Sequence, residues 1–271
     1  MKLLIWIFYY NNEFYLEYQL KSIMKYISGY DSISIEIYND AREHMPSVAS
    51  GLNAKKIILS ECERLQSQHP IKHIYVPQEL HTSNNASERH IDCINYARDT
   101  YVQGGETVDY VLLMDCDVFL YNPFDLTDYE TYAMSGPRQR SGVSPLEPYA
   151  NKINPNIPMI GAHYNMNIVY PFVPFLLLNL NKLELPLLDF GFQGGIYHDT
   201  GSGLSDYMTS HPDKIYHMYD EINVGGWGGH EVFNDIAIHM REGTNHGGLP
   251  LNVFRTQRIG NYLALYNRLL K

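Results

Sequence analysis

The sequence predicts an α/β protein, a single domain whose mostly parallel sheet is flanked by helices. Short apolar runs alternate with stretches of helical periodicity through the first 115 residues. One run, DYVLLM at 109–114, is apolar without a break, as a central strand covered on both faces requires. At 271 residues with 45% hydrophobic and 18% charged side chains, the chain can bury one large core. The strand–helix–strand order then implies parallel pairing through right-handed crossovers.

The elements follow in order. Residues 2–9 (KLLIWIFY) read as a buried first strand that turns at Asn11-Asn12-Glu13. Residues 14–28 carry Phe14, Leu16, Tyr18, Leu20, Ile23, Met24 and Ile27 at helical spacing and stop at Gly29. A second strand at 33–38 closes at Asn39-Asp40, a helix covers 53–66, and a short strand covers 71–77. Residues 86–102 are helical, with Ile91, Ile94, Ala97 and Tyr101 on one stripe, and 109–114 is the central strand. After Asn122-Pro123 the rhythm changes. A strand is expected at 131–136, a Pro-, Asn- and Gly-rich excursion at 137–174, a strand at 174–180 and a short helix at 202–210. A glycine-dense loop (225–231) and an apolar helix (257–270) complete the chain, and no internal repeat is present.

Composition excludes several classes. A net charge of −10 argues against a broad nucleic-acid-binding surface, which needs clustered Lys and Arg. It leaves room for one small anion whose charge a metal neutralises. Three scattered cysteines (Cys62, Cys93, Cys116) form neither a disulfide framework nor a zinc pattern and fit a reducing compartment. No apolar run reaches the roughly 20 residues needed to span a bilayer, and the first run reads as a strand rather than a leader. The expectation is a cytoplasmic protein. The 23 tyrosines suit half-buried packing and also sugar or base faces.

The sharpest motif is VDYVLLMDCDVFLYNP at 108–123. Residues two apart on a strand share a face, so Asp115 and Asp117 at its end should point to the same side. Open α/β sheets bind ligands at that carboxyl edge. Two carboxylates so placed repel unless a cation lies between them, and Mg²⁺ or Mn²⁺ is the natural occupant, with diphosphate oxygens completing its shell. The plain alternative is an acidic pair capping a loop.

This segment resembles the DxD motif of GT-A-fold glycosyltransferases, and the element order resembles that family loosely over the whole chain. The resemblance implies a GT-A-like, Rossmann-type domain with a nucleotide-sugar-binding half (1–123) and an acceptor half (124–271). It implies Asp117 as the principal metal ligand, with Asp115 on the ribose or the metal. Phe8, Tyr9 and Tyr10 at the end of the first strand, and Asn39 and Asp40 after the second, would hold base and ribose; Asn39-Asp40 is otherwise simply a turn. Arg89 would stabilise a departing diphosphate, or be an ordinary helix-surface residue. In the glycine-flanked segment 190–208, Asp199 is the candidate base for the acceptor hydroxyl, or a helix cap. Late in the chain His239 would complete the metal shell, with His246 second choice, and Trp227 would stack on a sugar. His81 and His90 match no ligand spacing.

The function implied is metal-dependent sugar transfer from a nucleotide-diphosphate sugar to a glycan or other hydroxyl acceptor, with inversion if Asp199 is the base. Three alternatives stand beside it. A sugar-nucleotide nucleotidyltransferase would open with a Gly-rich, Arg-bearing loop, where this chain has Tyr9-Tyr10-Asn11-Asn12. A haloacid-dehalogenase-type phosphatase would want Thr or Val two residues after the second Asp, where Phe119 stands. A non-catalytic carbohydrate-binding protein could use the tyrosines and Trp227 but needs no paired carboxylates.

Overall fold

A computed structural model of the chain describes residues 1–10, 13–41, 54–81, 86–140, 169–171, 173–191, 200–218, 220–223 and 230–240. The expected strand–helix alternation is present as β1 (Lys2–Tyr9), α1 (Leu16–Tyr26), β2 (Ile27–Ser28), β3 (Ser32–Asn39), α2 (Ala54–Leu65), β4 (Ile71–Tyr75), α3 (Ala86–Gly104) and β5 (Tyr110–Asp115). Beyond it lie β6 (Val118–Leu120), β7 (Phe124–Asp125), β8 (Met134–Arg140), β9 (Val169–Pro171) and β10 (Phe175–Asn179). The chain continues through α4 (Ser205–Ser210), β11 (Ile215–Met218), β12 (Asp220–Asn223), β13 (His230–Phe233) and β14 (Ala237–His239).

The main sheet has the order β11-β8-β10-β5-β1-β3-β4, with β9 against β8. Within that order β10 alone runs antiparallel to its neighbours, so the sheet is mostly parallel, as expected. Alternation sorts its side chains into two layers. Leu3, Ile5, Ile7, Tyr9, Tyr110, Leu112 and Met114 join the core under α1 and α2, whereas Leu4, Trp6, Phe8, Val111 and Leu113 join the core under α3. Burial on both faces is why β1 and β5 read as unbroken apolar runs. Among the described residues no helix is long and apolar enough to cross a membrane.

Several boundaries differ from the periodicity. The helix expected to 28 ends at Tyr26, and the chain passes directly into β2, which pairs with β7. Gly29 then turns the chain with φ of 81°, where a Cβ would collide with Asp125 Oδ1. The strand expected at 131–136 is shifted to β8, and the short helix at 202–210 begins as a 3₁₀ turn (Ser202–Leu204) before α4. The expected terminal helix 257–270, most of the 137–174 excursion and residues 225–229 lie outside the described residues.

A second, four-stranded sheet, β12-β13-β14-β6, is antiparallel and positions the site. Its β13–β14 hairpin turns through Asn234 and Asp235, both with positive φ (49° and 56°), and Ile236 N–H donates to Phe233 O at 2.8 Å. Asn and Asp tolerate this left-handed geometry better than most residues.

Candidate metal centre

β5 ends at Asp115, and its odd-numbered residues face α3, so the Asp115 side chain points toward that helix. Asp117 lies in the turn that leads into β6, not on β5. Strand alternation therefore does not align the two carboxylates, as the sequence reading supposed; the turn does. β14 pairs antiparallel with β6 in the register His239↔Val118, and Met240 N–H donates to Asp117 O at 2.9 Å. Ligand atoms of Asp115, Asp117 and His239 consequently lie within 4.8 Å of one another, and His239 Nε2 is 3.4 Å from Asp117 Oδ1. An octahedral cation with donors at about 2.1 Å separates opposite donors by about 4.2 Å, so sub-ångström adjustments close this set around Mg²⁺ or Mn²⁺. Two carboxylate oxygens and one imidazole nitrogen form a mixed oxygen–nitrogen donor set that a divalent transition metal accepts.

The turn is held from beneath by α1. Gln19, fully buried, donates from Nε2 to Asp115 O (2.7 Å) and Val118 O (2.9 Å), and its Oε1 accepts from the Tyr9 hydroxyl (2.8 Å). One turn on, Ser22 Oγ accepts from Leu120 N–H at 3.3 Å. Tyr9 is thus corrected as a direct nucleotide contact: its ring is fully buried on the α1 side and serves the clamp. Gln19 was not anticipated, although a glutamine among Leu16, Leu20 and Ile23 on a buried helix face must have interior partners.

Asn39 and Asp40 are buried as well. Asn39 Nδ2 donates to Lys55 O at 2.9 Å and lies 2.9 Å from His73 Nε2. Asp40 accepts from one Arg89 nitrogen on both oxygens (2.8 and 2.7 Å) and from Gln78, and its Oδ1 is 2.9 Å from His81 Nε2. Arg89 is therefore no helix-surface residue; it is 5% exposed and its guanidinium carbon lies 5.7 Å from the Tyr10 ring centroid. Arg89 Nε is buried and has no hydrogen-bond partner among the described residues. Of the five expected base and ribose contacts, Tyr10 alone keeps a partly exposed side chain.

His81 completes this network through Nδ1, 3.1 Å from Asp92 Oδ2. Burial disfavours its charged ring, but hydrogen bonds and attraction from Asp40 and Asp92 outweigh that and raise its pKa above the ordinary value. Cys93 approaches Asp40 and His81 closely enough for a metal. Arg89, however, already covers both Asp40 oxygens, and burial pushes the Cys93 thiol well up. The cluster is an ion network rather than a second metal site.

A pH prediction follows. A raised histidine pKa contributes stability fully below the unfolded value of about 6.5, and that contribution is lost as pH rises through the higher folded pKa. The thermal midpoint should fall between pH 6 and 9, and His81→Gln should flatten that fall. Equal slopes in the two proteins would dismiss the charged imidazole.

At the metal centre itself, burial acts to raise the Asp115 carboxyl, but attraction to His90, helped by His239, overcomes it and holds Asp115 below the usual carboxylate range. His90 Nε2 is 3.0 Å from Asp115 Oδ1, a contact that no residue spacing announced. Asp199, His246 and Trp227 lie outside the described residues.

No family model and no curated protein matches the chain. Among solved structures it is similar to S. aureus TarS, at 17% identity over 47% of this chain and 18% of that one, with a TM-score of 0.31. It is similar to the galactosyltransferase LgtC in complex with donor and acceptor sugar analogs, at 20% identity over 80% of this chain and 67% of that one, with a TM-score of 0.36. A third is the mannosyltransferase PcManGT from Pyrobaculum calidifontis in complex with GDP-Man and Mn²⁺, at 11% identity over 79% of this chain and 54% of that one, TM-score 0.43. The match thus spans just under a fifth of TarS and about half of the mannosyltransferase.

Proposed function

We propose that the chain is a divalent-metal-dependent glycosyltransferase that moves a sugar from a nucleotide-diphosphate donor to an acceptor hydroxyl. The observation that carries this reading is the convergence of Asp115, Asp117 and His239 at the carboxyl edge of a mostly parallel sheet. The ion, when bound, neutralises charge on the departing diphosphate. The chain's own part is to hold the donor's polar groups between residues 1–123 and the acceptor against residues 124–271. Asp199 is the proposed base that takes the acceptor proton, and direct displacement with inversion follows from that role.

Thermal melts with a panel of nucleoside diphosphates, each with and without Mn²⁺, test the donor side. A diphosphate present at 100 times its Kd stabilises by about 2.7 kcal/mol. A shift that needs both nucleotide and Mn²⁺ is the expected result; a panel without any such shift would overturn the proposal. For the base, Asp199→Asn should slow transfer by about 10²-fold and leave diphosphate affinity in place. Turnover within a few-fold of wild type would remove Asp199 from the mechanism, since Asn caps a helix about as well as Asp.

A further inference from the structure

Asp117 reaches Asp115 through a turn, and one buried side chain grips both ends of that turn. Gln19 Nε2 lies 2.7 Å from Asp115 O and 2.9 Å from Val118 O. A carbonyl oxygen only accepts, so the amide nitrogen belongs at that end, and each of its two hydrogens has its own acceptor. At the other end the Tyr9 hydroxyl donates to Gln19 Oε1 at 2.8 Å. Ser22 ties the same turn of α1 to β6: its Oγ donates to Gln19 O at 2.8 Å and accepts from Leu120 N–H. With Met240 N–H on Asp117 O, three of the four peptide units between residues 115 and 119 are held by their carbonyls. Gln19 takes main-chain oxygens for this and occupies neither carboxylate.

We propose that Gln19, held in place by Tyr9, is a positioning residue for the cation: it sets the spacing of Asp115 and Asp117 and thereby the metal affinity. The direction in which each Asp side chain leaves the backbone follows from the peptide units on either side of its Cα. Two carbonyl oxygens directed at one point repel each other, and a buried carbonyl without a donor is costly. The amide between them removes both penalties at once. An apolar side chain at position 19 leaves the turn to relax by rotating those peptides apart, and Asp117 then moves off Asp115 and His239. Groups that orient a metal ligand are commonly worth 10- to 100-fold in metal affinity. The inference rests on the reading that Asp115, Asp117 and His239 bind a divalent cation.

Titration with Mn²⁺ alone, followed by the electron spin resonance of the free ion, measures affinity, and melting of the metal-free protein measures stability separately. Gln19→Met keeps the length of the side chain and removes the amide, and it should weaken Mn²⁺ by about tenfold or more in the folded variant. Tyr9→Phe removes one hydroxyl, keeps the ring that fills the core, and should weaken Mn²⁺ by a smaller factor. Added to Gln19→Met, Tyr9→Phe should change Mn²⁺ affinity no further, because the hydroxyl acts through the amide. If Gln19→Met does not fold, Tyr9→Phe carries the test by itself. A folded variant of either residue that melts lower yet binds Mn²⁺ as the wild type does has lost core packing only, and overturns the positioning role. Equal effects of Tyr9→Phe on Mn²⁺ in the two backgrounds overturn it as well. Wild-type protein that binds no Mn²⁺ overturns the metal site and this role together, so the two failures are distinguishable.

Discussion

Asp117→Asn is expected to remove Mn²⁺-dependent nucleotide binding while the protein stays folded. The carboxylate is 7% exposed and shares its space with Asp115, a like charge, so a neutral amide relieves repulsion in the metal-free protein. The backbone bond that docks β14 on the turn, Met240 N–H to Asp117 O, does not involve the substituted atoms. The metal-free melting temperature should therefore hold or rise slightly. Mn²⁺ affinity should drop by about two orders of magnitude or more, since even outer groups around metal ligands are worth 10- to 100-fold. Calorimetric titration with Mn²⁺ and the nucleoside diphosphate found in the thermal panel is the measurement. A folded variant that retains Mn²⁺-dependent binding would eliminate Asp117 as a ligand.

Arg89→Ala is expected to produce the largest loss of stability of any single change at the site. Arg89 and Asp40 side chains are each 6% exposed, so removing the guanidinium strands a carboxylate in the interior. Breaking a buried pair from one side costs about 3–5 kcal/mol. His81 and Gln78 still face Asp40 and place the expected cost near the lower end. In a chain of this size that corresponds to a drop in melting temperature of roughly 10 °C. The double variant Arg89→Ala/Asp40→Asn should recover part of the loss, because the stranded charge is gone, and the cycle isolates the coupling. A drop of only a degree or two, with no recovery in the double variant, would mean that water reaches Asp40 and that the pair is a surface one.

The two variants also separate site from scaffold. Asp117→Asn acts on ligand binding with the fold intact, whereas Arg89→Ala acts first on the fold, and the ion network links the end of β3 to the first turns of α3. His90 sits beside Arg89 on that helix, so the network and the candidate metal centre share one support.

Local pattern determined the larger elements. Residues 2–9 and 109–114 announce themselves as strands because burial on both faces leaves no polar position, and the 86–102 stripe announces a helix because one face must be apolar. The pairing of Asp115 with Asp117 was legible for the same reason, a short-range signal at the end of an apolar run. Register and long-range pairing decided the rest. His239 reaches Asp117 only because β14 pairs with β6 across more than a hundred residues, and no short motif encodes that register. Arg89 reads as a surface residue in one dimension, since its partner Asp40 is 49 residues away. Tyr9 reads as a ligand contact at a strand end until the pleat turns it toward Gln19. His90 became visible only once α3 lay across β5. Periodicity reports which face of an element is buried; which neighbour it is buried against follows from the packing of the whole sheet.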